Sequence, residues 1–330
     1  MGCGGRSSPL AKRPSRQAPL VSIIIPNWNG KAHLPTCLDA LRRQTYAPIE
    51  TIVVDNASTD GSQALIAADY PEVRLVELAS NQGFAGAVNR GIEAARGEII
   101  VLLNNDTEAD PAWIAELVRA LDEHPEAGFA ASKLRLFDRR HLLHSAGDTF
   151  SRAGQANSRG VWQEDCGQYD SEDAVFSACG GAVAYRRAML DDVGLLDEDF
   201  FFNLEDVDLA WRAQLQGYGC VFVPTAIVYH KLSATGGGVT ASYYTGRNAV
   251  WLIAKDYPAD LLWRDWPRIV GAQLAVTRDA LAAWRGEAAR ARLRGQLAGL
   301  WGLPHIMRKR REVQRRRRVS SEAVDALLVD

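Results

Sequence analysis

Three short polar segments carry side chains able to do chemistry, and each steps off the end of a run rich in β-branched or aromatic residues. Asp55-Asn56-Ala57-Ser58-Thr59-Asp60-Gly61 follows Thr51–Val54, Asn104-Asn105-Asp106 follows Ile99–Leu103, and Glu205-Asp206-Val207-Asp208 follows Phe200–Phe202. In open α/β sheets the ligand crevice lies outside the carboxyl ends of the strands, and the first two segments fall where such a crevice would be. Carboxylates gathered there suit a hydrated divalent cation that bridges substrate phosphates.

Each segment also has a plainer reading. Asp55 as an ionised acceptor suits the imide N–H of uracil or thymine, or it belongs to a turn that caps the next helix. In Asn104-Asn105-Asp106 only Asp106 brings a full charge. The segment therefore suits a metal bound together with a nucleotide diphosphate, or a capping loop before the helix at Pro111. Asn203-Leu204-Glu205-Asp206 reads as an N-cap and capping box. Yet three carboxylates in four residues exceed what a cap needs, and their repulsion and burial would raise a pKa toward that of a general base. Asp208 has an i,i+4 partner in Arg212. His230 closes an apolar run and is a candidate metal ligand; His141 and His144 read as surface residues. Gly83 and Gly86 in the stretch 81–89 would let backbone approach a ligand, or let a helix pack closely on the sheet.

The elements that must position these residues alternate. Strands are expected at Val21–Pro26, Glu50–Val54, Val73–Leu78 and Glu98–Leu103, with helices at Leu34–Gln44, Ser62–Ala68, Gly86–Ala95 and Pro111–Glu123. That alternation predicts an α/β fold with a mostly parallel, doubly wound sheet. From about 128 to 178 the pattern weakens, and Asp148–Asp173 reads as a long polar surface loop. Ala182–Tyr185 is a strand, Asp206–Gln216 a helix closed by Gly217, and Cys220–Tyr229 a strand interrupted at Pro224. From Tyr243 onward the pattern is helical. The first strand is followed by no G-x-G-x-x-G, and no G-x-x-x-x-G-K-[ST] occurs, which argues against a dinucleotide-binding Rossmann site and a P-loop.

The 330 residues carry a net charge of −2 that hides an asymmetry: residues 255–330 hold 16 Lys/Arg against 9 Asp/Glu, and the rest of the chain is acidic. A basic tail on an acidic body suggests an anionic surface as partner. Trp263, Trp266, Leu274, Trp284 and Trp301 interleave with its arginines, which favours an interfacial amphipathic helix over nucleic acid. The five cysteines lack C-x-x-C spacing, so neither a disulfide framework nor a zinc site is expected, and a reducing cytosol fits. No apolar run is long enough to span a bilayer. Residues 1–19 read as a disordered leader.

Taken together, Val21–Gly30 (VSIIIPNWNG), Val53–Ser62 (VVDNASTDGS), Asn81–Gly91 (NQGFAGAVNRG), Leu102–Thr107 (LLNNDT), Phe201–Arg212 (FFNLEDVDLAWR) and Val228–His230 (VYH) resemble the inverting family 2 glycosyltransferases of GT-A fold. The likeness is strongest to bacterial rhamnosyltransferase-like members. The resemblance covers about residues 20–250 and leaves 251–330 as a helical, basic C-terminal extension. It implies a sheet flanked by helices and a metal-dependent hexosyltransferase. That enzyme would move a sugar, rhamnose favoured, from a dTDP- or UDP-sugar to a cell-envelope glycan or polyprenyl-diphosphate-linked acceptor. It would work in the cytoplasm, peripherally on the inner face of the membrane, with no nucleic-acid partner.

By resemblance, Pro26, Asn27 and Asn29 line the nucleotide pocket, Asp55 binds the base and Asn89 flanks the nucleotide. Asn104, Asn105 and Asp106 occupy the D-x-D position, with Asp106 and His230 holding Mg²⁺ or Mn²⁺. Asp206 is the catalytic base with Glu205 beside it, and Arg247 lies near the diphosphate. The competing readings are a transferase using another hexose donor, a nucleotidyltransferase, or a non-catalytic sugar-nucleotide-binding or membrane scaffold protein.

Overall fold

The computed structural model describes residues 18–171, 173–231 and 237–330; nearly all of the expected leader lies outside them. The amino-terminal half alternates as expected: β1 (Val21–Asn27), α1 (Leu34–Arg42), β2 (Ile49–Asp55), α2 (Ser62–Asp69), β3 (Arg74–Glu77), α3 (Gly83–Ala94) and β4 (Ile99–Leu103). The chain continues through β5 (Thr107–Ala109), α4 (Trp113–Glu123), β6 (Ala127–Leu136), β7 (Leu143–Ala146), β8 (Asp148–Ser151), β9 (Ala156–Ser158) and β10 (Ala174–Val175). Then come β11 (Ala182–Arg186), α5 (Arg187–Val193), α6 (Glu205–Leu215) and β12 (Gly219–His230). Four helices, α7 (Gly238–Asp256), α8 (Ala259–Ala282), α9 (Glu287–Trp301) and α10 (Leu303–Arg315), precede α11 (Ser321–Asp325) and β13 (Leu328–Val329).

The main sheet runs β10-β12-β6-β11-β4-β1-β2-β3, with β5 on β12 and β7 on β6. Strands β4, β1, β2 and β3 are parallel, and β11 is antiparallel to both of its neighbours, β4 and β6. The β-branched runs of β1 and β4 are buried on both faces, as the interior of a parallel sheet requires. Because Asn27 pairs with Asp55, β1 and β2 end level with each other. The polar segments that follow β1, β2 and β4 therefore emerge side by side at one edge.

Two expectations fail between 128 and 173. Ala127–Leu136 is a long strand, buried except for Arg135. Small residues and Lys133 had masked it, because a strand buried on both faces need not alternate. Asp148–Asp173 is a surface loop only in part: its first part carries β8 and β9, which join β13 in a second, three-stranded sheet, and Phe150 is fully buried, while 161–164 and 166–168 are exposed as expected. The polar character of this stretch has a structural use. The Asp165 carboxylate is buried and accepts from Lys133 Nζ at 3.2 Å and from Arg135 Nε at 2.8 Å, so it compensates a cation enclosed in β6.

The boundary expected at 250/251 falls inside α7. That helix crosses α9 closely because Gly246, Gly295 and Gly299 stand at the crossing; a Cβ on Gly295 would lie 2.1 Å from the Tyr243 carbonyl oxygen. Phe150, Trp211, Tyr257, Ile306 and Leu328 share one core, and Leu328 pairs with Phe150, so the C-terminal helices and last strand close over β8 and α6. The basic run at 315–318 is partly turned inward: Arg318 pairs with Asp192 at 2.6 Å, and Arg317 donates to Ser321 Oγ at 2.7 Å.

A buried ion cluster joins α6 to α7. Lys255 Nζ donates to Asp208 and, at 2.6 Å, to Asp197, while Arg212 Nε donates to the other Asp208 oxygen at 2.9 Å. The Asp208–Arg212 pair is the i,i+4 contact expected from the sequence. Removing one member of a buried pair strands the others and costs about 3–5 kcal/mol. Lys255→Met is therefore expected to lower the urea midpoint at unchanged m-value; a midpoint equal to wild type would mean that Arg212 and Lys309 compensate these carboxylates without Lys255.

Candidate active site

At the carboxyl ends of β4, β1 and β2 a relay of side chains crosses the three strands. Asn105 Nδ2 donates to Asn27 Oδ1 at 2.7 Å, and Asn27 Nδ2 donates to Asp55 Oδ1 at 3.0 Å. Asp55 also accepts from the Ser58 N–H at 2.9 Å and Gln63 Nε2 at 2.7 Å. Asn29 fixes the same corner, accepting from the Thr59 N–H at 2.8 Å. Gly30 is required here, since a Cβ would lie 2.0 Å from Asn105 Nδ2.

The relay borders a cleft of about 540 Å³ lined by Pro26, Asn27, Asn104, Asn105, Asp106, Glu205, Asp206 and His230 among others. Eight of the expected site residues thus meet at one cavity. Asn29, Asp55, Asn89 and Arg247 are not in its lining. Asn89 is tied instead to Leu196, whose carbonyl accepts from Nδ2 at 2.9 Å and whose N–H donates to Oδ1 at 3.1 Å. Arg247 Nη2 donates to the carbonyls of Asp199 and, at 2.9 Å, of Phe200. Both residues hold backbone, which the sequence alone did not indicate.

On one side of the cleft Asp106 Oδ1 stands 3.1 Å from His230 Nε2. The backbone sets this approach: His230 pairs with Thr107 across β12 and β5, and the Lys231 N–H donates to the Asp106 carbonyl at 3.0 Å. Two cis ligands on an octahedral ion at about 2.1 Å lie about 3 Å apart, so this oxygen–nitrogen pair fits a small divalent cation. Among the described residues no group of three or more His, Cys, Asp or Glu forms a complete metal cage; water and phosphate oxygens would fill the remaining positions, as small hard cations prefer. His144 is not the surface residue expected: it lines the cleft, with Nδ1 3.1 Å from His230 Nδ1. Burial, then His230, pulls its pKa down to about 4.

On the other side stands the acidic start of α6. Leu204, not Asn203, is the N-cap, and it offers no side-chain cap. Asn203 Nδ2 instead donates to Thr245 Oγ1 at 3.1 Å, so the expected capping box does not form. Asp206 Oδ2 accepts from the Gly180 N–H at 2.8 Å, and Oδ1 accepts from the Val207 N–H at the start of α6 at 2.8 Å. Phe201, Asn203 and Leu204 all have positive φ, at 61°, 65° and 68°, a strain residues with a Cβ accept only when neighbours impose it. Asn248 imposes it: Nδ2 donates to the carbonyls of Phe200, Phe202 and Asn203 at 2.9, 3.0 and 2.6 Å. Gly83 receives the same segment, since a Cβ there would lie 2.4 Å from the Phe201 carbonyl oxygen; the glycine serves protein backbone rather than a ligand.

Burial is the main force on the two carboxyls. It pushes Glu205 well up, reinforced by the Asp206 charge, and raises Asp206 against the pull of the Gly180 and Val207 N–H groups. Among the described residues Glu205 Oε2 has no hydrogen-bond partner. The cleft thus holds a candidate base beside a carboxyl held toward neutrality, together with a metal-ligand pair. Trp28, half exposed, and Phe84, Phe201 and Phe202 supply apolar walls that sequence spacing did not single out.

Residues 22–194 match the family "Glycosyl transferase family 2". An N-acetylglucosaminyl-diphospho-decaprenol L-rhamnosyltransferase of Mycobacterium tuberculosis is 29% identical over 240 residues, 66% of this chain and 78% of that protein. The O-antigen biosynthesis protein RfbC of Myxococcus xanthus is 32% identical over 67% of this chain, which spans only 18% of its length. Among solved structures, GalNAc-T7 with UDP, GalNAc and Mn²⁺ superposes with a TM-score of 0.61 at 16% identity, covering 74% of this chain and 49% of that one. The mannosyltransferase PcManGT of Pyrobaculum calidifontis with GDP-Man and Mn²⁺ gives 0.53 at 21%, covering 93% and 88%. These structures establish the GT-A fold.

One more carboxyl is tuned by this site. Burial and the nearby Asp206 charge push Asp148 up to about 7. An acid whose folded pKa lies above its unfolded value of about 3.9 keeps a proton that the unfolded chain has lost, so its contribution is full at acid pH and declines as pH rises through that window. Wild type is therefore expected to lose stability relative to Asp148→Asn between about pH 4 and pH 7, at up to about 1.4 kcal/mol per pH unit. Urea unfolding of both proteins across that range checks it; parallel profiles would contradict it.

Proposed function

We propose that this chain, which belongs to glycosyl transferase family 2, transfers a hexose, rhamnose favoured, from a dTDP- or UDP-sugar with inversion at the anomeric carbon. The acceptor we infer is a cell-envelope glycan or a polyprenyl-diphosphate-linked sugar, in keeping with the acceptor in the mycobacterial relative's name. The observation that carries this reading is the meeting, in the lining of one cleft, of Asp206 and the Asp106–His230 pair.

In this reading Asp206 accepts the proton of the acceptor hydroxyl as its oxygen bonds to the anomeric carbon and the bond to the diphosphate breaks. The hydrogen bond from Gly180 holds the base while leaving Oδ1 toward α6. Glu205, protonated by burial, can donate to a sugar hydroxyl. Asp106 and His230 would hold Mg²⁺ or Mn²⁺, which when bound neutralises charge growing on the leaving diphosphate. His144, neutral at physiological pH, accepts from His230 Nδ1–H and so presents Nε2 to the cation. Asn27 and Asn105 orient the nucleotide side. Asp55, carrying three protein donors, shapes that pocket and retains acceptor capacity for a base imide.

The membrane contact we propose is the outer face of the C-terminal helices, rather than the 315–318 run alone. Trp263 and Trp301 are 81% and 89% exposed, with Trp266, Leu274 and Leu300 also exposed, and they stand in the basic part of the chain. Aromatic residues among arginines suit the headgroup layer of an anionic membrane, which supports a location at the cytoplasmic face beside a lipid-linked acceptor. No described helix is long and apolar enough to cross a membrane.

Asp206→Asn should keep the fold and donor binding and lose roughly 10²–10⁴-fold in transfer, the range for a general base; wild-type turnover would return Asp206 to a structural role. Excess EDTA should abolish transfer and Mn²⁺ restore it, and full activity in EDTA would remove the cation from the reading. Trp263→Ser combined with Trp301→Ser should reduce sedimentation with phosphatidylglycerol vesicles while leaving soluble donor hydrolysis intact; unchanged sedimentation would discount this face.

A further inference from the structure

A second cavity, of about 200 Å³, lies between the β8–β9 turn and helices α7, α8 and α9. Its polar lining includes Asn157, Thr245, Gln273, Arg292 and Gln296, and among the described residues no carboxylate lines it. Arg292 is half buried. Burial alone holds its pKa below the ordinary guanidinium value, and no neighbouring acid raises it. Its stem is fixed against α7, because a Cβ on Gly246 would stand 3.1 Å from Arg292 Cδ. A guanidinium withdrawn from water without a counter-charge is unfavourable, and most other half-buried cations of this molecule, such as Arg152, Arg247 and Lys309, have acid or carbonyl partners.

The amides beside it are oriented. Gln296 Oε1 accepts from Thr277 Oγ1 at 3.1 Å, and Gln296 Nε2 donates to Gln273 Oε1 at 3.3 Å. This chain uses the acceptor of Gln273 and leaves its amide N–H groups for another partner. A cationic fork with neutral donors and no acid matches the oxygens of a phosphate group.

We infer that this cavity is a phosphate-binding site, separate from the catalytic cleft, in which Arg292 is the anchoring cation and Gln273 a supporting donor. The phosphate belongs either to a soluble phosphate ester or to an anionic phospholipid headgroup. The site adjoins the catalytic segment, since Leu204 and Thr245 line it and Thr245 holds Asn203. The inference does not depend on the donor or acceptor proposed above.

The test is calorimetric titration of the full chain with inorganic phosphate, free of divalent cations. Wild type is expected to bind saturably, Arg292→Gln to bind at least about tenfold more weakly, and Arg294→Gln, exposed on the same helix, to match wild type. Should Arg292→Gln lack a folded circular dichroism spectrum, Arg292→Lys and Gln273→Ala take its place, and both are expected to weaken binding. Sedimentation with phosphatidylglycerol and phosphatidylcholine vesicles separates the sources. Loss of phosphatidylglycerol binding in the Arg292 variant assigns a lipid headgroup; unchanged vesicle binding with lost phosphate binding assigns a soluble phosphate. Phosphate affinity equal in wild type and the Arg292 variants, or none in wild type, overturns the inference.

Discussion

The constraint on which the site depends is the four-residue segment 201–204, which must turn through three left-handed conformations to deliver two buried carboxyls to the cleft. Each such residue costs about 1–3 kcal/mol, and desolvating the carboxyls adds to that. The segment is stable only because α7 grips it: Asn248 and Arg247 donate to its carbonyls and to those just before it, and Lys255 neutralises Asp208 one turn into α6. The C-terminal helices are therefore part of what shapes the cleft. The strain also orients Asp206. With Leu204 at the cap and Asn203 directed to Thr245, its carboxylate bridges the Gly180 N–H and the Val207 N–H at the start of α6.

The opposite wall follows from sheet register. Strands β4, β1 and β2 end together, so the amide and carboxylate side chains just beyond them can bond in sequence from Asn105 through Asn27 to Asp55. Asn27 and Asn105 of this relay line the cleft beside Pro26, Trp28, Asn104 and Asp106, while Asp55 stands behind them. The metal-ligand pair arises where β5 turns back onto β12 and brings Asp106 against the strand end at His230.

Part of the charge in the C-terminal region is paired within the molecule. Lys255 and Lys309 serve Asp197, Arg264 serves Asp265 and Asp325, and Arg318 serves Asp192. A net positive count over this stretch thus overstates the cationic surface available to a membrane, and exposed tryptophans mark the outward face better than the arginine run does. Arg292 stands apart, a half-buried cation turned into a polar cavity without an acid.

By itself the sequence determined the alternation of β1 through α4, the parallel sheet and the polar residues at the centre of the cleft. Its β-branched runs and the polar segments after them have a local physical cause, burial on both faces followed by abrupt solvation. The residues Asp106, Glu205, Asp206 and His230 were legible because they sit at strand or helix ends where few other constraints act. Only tertiary structure decided the rest. Strand β6 was hidden because burial on both faces removes alternation, and 148–173 read as a loop because its acids answer cations far away in sequence, at Lys133 and Arg135. His144 became a cleft residue because β7 pairs with β6, the neighbour of β12, and Asn89 and Arg247 became backbone clamps through contacts about 50 to 110 residues distant. Such roles depend on which groups meet across the fold, and a hydrogen bond between distant segments leaves no periodicity in either of them.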